Sequence, residues 1–175
     1  MNLNGLSWPT KHLHASTRDG STWGYVIYRT TYTPHSNAAF LRIIELLNSY
    51  MKQGLYPECV SSENNTSMDT DLTTYHEIWA QHRPIVMNHP RFGGASIDSI
   101  RAHFRCWVGQ QEDQGYCTQY RMCMVIDEES LQTLLDAPPP QESSDEKIID
   151  PMRHVKVVTL LPDSDDDEFD SFLGG

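Results

Sequence analysis

No stretch of the 175-residue chain approaches the run of uninterrupted apolar residues that a bilayer span requires, so a membrane-spanning helix is not expected. The opening segment MNLNGLSWPTKHLHASTRDG lacks the apolar core of a secretory leader, which points to synthesis and retention in the cytoplasm, with the nucleus also open to it. Positive charge is scarce. Lys and Arg total 13 against 24 Asp and Glu, and the net charge of −11 would repel both nucleic acid and anionic lipid. Also missing are a Walker loop, a G-x-S-x-G elbow, an H-E-x-x-H helix and a spaced G-x-G-x-x-G, which removes the common phosphate-loop, serine-hydrolase, zinc-protease and dinucleotide chemistries from the expectation. Four cysteines are present, with no Cys-x-x-Cys knuckle among them. In a reducing compartment they read as free thiols.

What is present suffices for one sizeable core. The apolar fraction is 38%, and four Trp, eight Tyr and five Phe supply large buried groups. The acids Asp163, Asp165, Asp166, Asp167, Glu168 and Asp170 crowd the last stretch, so the remainder is only mildly acidic. Residues 1–21 show no periodicity and read as a flexible lead-in; 22–161 form the ordered domain, with polar loops at 61–70 and 137–150; 162–175 form an acidic, disordered tail.

Within the domain, TWGYVIYRTTY (22–32) is aromatic and β-branched on both faces, which predicts a central strand ending before Pro34. Ser36 then caps a helix with Phe40, Ile43, Leu46 and Leu47 on one face, running to about Lys52 and stopped by Gly54. Leu55 to Val60 suggests a short edge strand. A helix capped by Thr70 or Asp71 carries Tyr75, Ile78 and Trp79 and must end near Pro84. Gly93-Gly94-Ala95-Ser96 leads into a helix with an Ile97, Ile100, Phe104, Trp107, Val108 stripe. TQYRMCMVI (118–126) is a strand, EESLQTLLD a short helix, and VKVVTLL the last strand. The order β-α-(β)-α-α-β-α-β predicts an α+β fold: a small sheet with helices packed on one face, ferredoxin-like with an inserted helix.

Three of these segments together, WGYVIYRTTYTP, GASIDSIRAHFRCWV and QYRMCMVIDEESLQTLL, resemble a large group of small uncharacterised proteins of filamentous fungi. That group shares a WG-x-x-IYRT strand, an R-x-x-F-x-x-W helix and a YR-x-C-x-x-ID-E strand-to-helix step. The resemblance spans 22–161 and implies a fungal source and an intracellular fold, with no shared activity attached to it.

Candidate sites follow from chemistry. His103 and Cys106 have an i, i+3 spacing, but Cys117 and Cys123 stand six apart, so no metal site and no cofactor are expected. Cys123, between two methionines on a strand, reads as a small core hydrophobe. The glycine turn at 93–94 offers backbone N–H groups to an anion, as every helix start does. The two strand arginines, Arg29 and Arg121, need either solvent or a partner, because an unpaired charge is costly to bury. Either nearby carboxylates such as Asp127 and Glu128 satisfy them, or Arg29, Arg121, Tyr28 and Tyr120 line a pocket for an anionic or phenolic molecule. In the tail, Asp165, Asp166, Asp167 and Glu168 with Phe169 and Phe172 can form a short motif for a basic, apolar groove on a protein partner. The functional expectation is an interaction or small-ligand-binding module without catalysis. The alternative is a cofactor-independent accessory enzyme of the dimeric α+β barrel type, a homodimer closed through an exposed sheet face and acting on a small organic substrate.

Overall fold

The computed structural model describes residues 8–18, 20–60, 72–111, 118–136 and 154–160. The elements run α1 (Trp8–Arg18), β1 (Val26–Arg29), α2 (Pro34–Val60), α3 (Thr73–Ala80), β2 (Ile85–Met87), α4 (Ile97–Gly109), β3 (Met122–Ile126), α5 (Glu128–Leu135) and β4 (Lys156–Thr159). Single 3-10 turns at Pro90–Phe92 and Thr118–Tyr120 precede α4 and β3. The fold is α+β, as the element order predicts.

The strands form one mixed sheet in the order β2-β1-β3-β4. β1 is parallel to both β2 and β3, and β4 closes the other edge antiparallel to β3. β1 is therefore central and buried along its whole length, as its two apolar faces require. From β1 the chain winds one way to β2 and then back across to β3. With crossovers of one hand, that reversal puts successive helices on opposite faces.

Accordingly Val26 and Tyr28 pack with Cys123, Val125 and Val158 under α4, through Ile100, Phe104 and Val108. Ile27 and Ile126 pack on the other face under α2 and α5, through Phe40, Ile43, Leu46, Leu47, Leu131 and Leu134. This corrects the expected one-sided cover: helices occupy both faces. A ferredoxin-like sheet would share the central parallel pair, but here the edge strand β2 also runs parallel to β1. The exposed sheet face that a barrel-type homodimer would need is taken up by α4 on one side and by α2 and α5 on the other.

Three local expectations also change. Residues 8–18 are helical and not a lead-in; the buried side of α1 carries Thr10, His14 and Thr17, polar groups that hide the periodicity. Thr17 Oγ1 donates to His14 O, and His14 Nε2 meets Glu77 Oε2 of α3 at 3.0 Å, so this polar face is satisfied. Second, α2 does not stop at Gly54 but continues to Val60, so no strand forms over 55–60. Gly54 faces open space, and Leu55 is buried against Tyr75 and Ile78, which anchors the extra turn. Third, the cap of α2 is Thr33, whose Oγ1 accepts from Ser36 N, with Pro34 at the first helical position. Loops 61–70 and 137–150 and the tail 162–175 lie outside the described residues.

Candidate functional site

Because β1, β2 and β3 are parallel, the segments leaving them gather at one edge of the sheet, and α2, α4 and α5 all begin there. In wound sheets this edge, near the strand where the winding reverses, is where ligands bind. Arg29, the last residue of β1, points into it on the α2 side.

Arg29 is only 5% exposed. Its Nε donates to Thr31 O at 2.8 Å, and its Nη2 donates to Ser36 Oγ at 3.2 Å and to Asn37 Oδ1. Nη1 reaches Asn88 Oδ1 at 3.5 Å, the outer limit for a hydrogen bond. The rings of Tyr32 and Phe40 each lie 4.5 Å from the guanidinium carbon. These cation–π contacts offset part of the desolvation cost. Every one of these acceptors is neutral. The sequence expectation that Asp127 or Glu128 pairs with Arg29 therefore fails: Glu128 accepts from Thr31 Oγ1, and Asp127 is engaged by Lys156 and by Ser130 N. Burial pulls the Asp127 carboxyl upward, but Lys156 and the Ser130 N–H outweigh it and hold the group below the usual carboxylate range.

On the opposite face, Tyr28 is fully buried and its hydroxyl lies 2.7 Å from His103 Nδ1 of α4. His103 Nε2 lies 2.7 Å from Arg91 Nη2. An arginine can only donate, so Nε2 must accept, and a neutral His103 then carries its proton on Nδ1 and donates to Tyr28 Oη. Burial, followed by the positive charge of Arg91, holds His103 below its ordinary pKa, which keeps the ring neutral. Burial likewise pushes the Tyr28 phenol well up. With both ring nitrogens engaged, His103 has no lone pair to offer a substrate. The triad clamps the 3-10 turn and α4 onto β1, helped by the edge-on ring contacts of Tyr28 and His103 with Phe92.

The proposed four-residue pocket is not brought together. Tyr28 and Arg29 alternate to opposite faces of β1. Arg121 is exposed in the turn before β3, and the pairing of Val26 with Cys123 sets it at the other end of the sheet, roughly 16 Å from Arg29 along the strand at the usual rise per residue. Tyr120 sits beside it, 5.9 Å from Trp107 in a near-parallel stack that Phe104 extends. The glycine turn spends its own donors: Gly93 N, Gly94 N and Ala95 N bond to Pro90 O, Thr30 O and Phe92 O. Among the described residues no group of His, Cys, Asp and Glu is placed to hold a metal. Burial pushes the Cys123 thiol up to about 12, so it is not a nucleophile. The acidic and aromatic tail residues lie outside the described residues.

Sequence reasoning missed Asn37, Asn88, Arg91 and His103 as neighbours of the arginine and tyrosine of β1. Only the Ser36-Asn37 pair, one helical turn past the strand, was near enough in sequence to suggest itself. Comparison with protein-family models, with curated proteins and with solved structures finds no match to this chain.

Proposed function

We propose that the domain is a small-ligand-binding or interaction module without catalytic activity, and that its ligand docks where the parallel strands end, beside Arg29. The observation that carries this reading is a guanidinium 5% exposed whose hydrogen-bond acceptors are all neutral. Burying a cation without a counter-charge costs several kcal/mol, roughly, and a fold that needed only packing would place an apolar side chain there. The cost is explained if a ligand completes the site. The engagement of His103 at both nitrogens supports a structural role for that ring and favours binding over catalysis at this edge. The reading also takes the protein as a fungal, intracellular one, in line with the motifs of the three segments.

A fragment screen by amide NMR tests it. Binding compounds should shift the amides of 29–32, 36–37 and 88–91 as one group; hits that leave this group unmoved would sink the proposal. A protein partner for the acidic tail belongs to the same reading, carried by the Asp165–Phe172 sequence. Removing 163–175 should then lose captured partners, and unchanged capture would set the tail aside.

A further inference from the structure

The ligand class can be named, on the reading that the Arg29 edge is the binding site. A guanidinium has five N–H donors. The Nε donor goes to Thr31 O and the two Nη2 donors to Ser36 Oγ and Asn37 Oδ1. Among the described residues Nη1 has only the 3.5 Å approach of Asn88 Oδ1, which leaves one hydrogen unassigned and the other weakly held. Tyr32 and Phe40 both pack on the guanidinium, each ring centroid 4.5 Å from its carbon, so the side chain is held in place around its Nη1 edge.

Two side-chain amides stand against the guanidinium. Asn37 and Asn88 must turn their oxygens to the arginine, because it can only donate, so their NH2 groups point away from it. The one carboxylate tied into this network is Glu128, through Thr31 and not through the guanidinium, with His35 Nδ1 3.9 Å from its other oxygen.

A cation with no counter-charge, an unassigned Nη1 hydrogen and two amide groups beside it takes an anionic acceptor. We propose that the Nη1 edge of Arg29 binds a small oxyanion, the carboxylate or phosphate group of a small molecule, with one oxygen on Nη1 and the amide of Asn88 beside it. Such charge-assisted bonds are about twice as strong as neutral ones.

The test follows the arginine side-chain resonances of the full chain by nitrogen-edited NMR. Acetate, inorganic phosphate and sodium chloride are added separately at matched ionic strength. Saturable movement of the Arg29 signals with acetate or with phosphate, but not with chloride, is the expected result; whichever oxyanion saturates at lower concentration assigns the group. Asn88→Asp supplies a built-in carboxylate at Nη1 and should weaken the response at least tenfold while the fold persists. Equal movement in chloride, no movement at all, or an undiminished response in a folded Asn88→Asp would each overturn the oxyanion site. Neutral and phenolic compounds run on the same sample separate this from the broader reading: hits at the edge with oxyanions silent remove only the oxyanion, and silence throughout removes both.

Discussion

The two ends of the parallel strands are built from different materials. Where the strands end, Arg29 bonds to Asn37 and Asn88 on one face and Arg91 to His103 on the other, and among the described residues neither guanidinium meets a carboxylate. Where they begin, the material is aromatic. Trp23 and Trp79 enclose His82, with ring centroids 4.6 Å and 4.5 Å away, and Tyr120 stacks toward Trp107. Both ends contain a histidine beside an arginine, so charge alone does not distinguish them. What differs is completion: the aromatic end closes on itself through area and stacking, while the polar end holds a charge that its own residues do not neutralise.

Substituting Arg29 should break this contrast most severely. Arg29→Met fits the space between Tyr32 and Phe40 but strands Thr31 O, Ser36, Asn37 and Asn88, and the expected loss is about 3 kcal/mol in urea unfolding. The sequence-equivalent Arg121→Met, at an exposed turn, should change stability by less than about 0.5 kcal/mol. Similar values for the two would remove the distinction.

At the aromatic end, Gly24→Ala should cost about 2 kcal/mol, because its methyl group would meet Arg83 O at 2.7 Å, and that is rigid backbone. The strain falls on the bridge between Trp23 and His82, where Arg83 N bonds to Trp23 O. A variant that unfolds at the wild-type urea midpoint would show that this end yields more readily than its packing indicates.

Acid should act on both ends in the same direction. His82 and His103 are each held below the ordinary 6.5, first by burial and then by a neighbouring arginine, Arg83 and Arg91 respectively. As pH falls through 6.5 the unfolded chain takes up these protons before the folded chain does, so stability present at neutral pH declines below 6.5 and levels off once the folded histidines protonate. Urea midpoints between pH 7.5 and 5 should therefore fall, and less steeply in His82→Asn or His103→Asn. A slope unchanged in both variants would assign the acid sensitivity to other groups.

Much of the frame was legible in the sequence because it depends on apolar patterning. The two-sided strand at 26–29, the Ile100, Phe104, Val108 stripe and the short helix that opens on Glu128 and Glu129 all appear where their residue types place them. The hidden parts have physical reasons. α1 buries threonine and histidine in place of an apolar stripe, and β2 has three residues, too few to show a period. Cover on both sheet faces follows from the reversal of winding at β1, which no single segment encodes. The site was half legible. Arg29 demanded explanation from its strand alone, but Asn88 lies 59 residues away and the Tyr28 and His103 pair is separated by 75, so neither partnership leaves a local signal.

The contact of His82 with two indoles also makes this protein its own optical probe. Trp23 and Trp79 stand edge to face at 6.1 Å, close enough for their excited states to couple, and Trp23 is held there by its Nε1 bond to Ile78 O. Protonation of the His82 ring, in contact with both, quenches indole emission. The indole emission of the intact chain thus carries a record of the aromatic end without a label, to which the polar end, with no tryptophan among its named groups, adds no indole signal of its own.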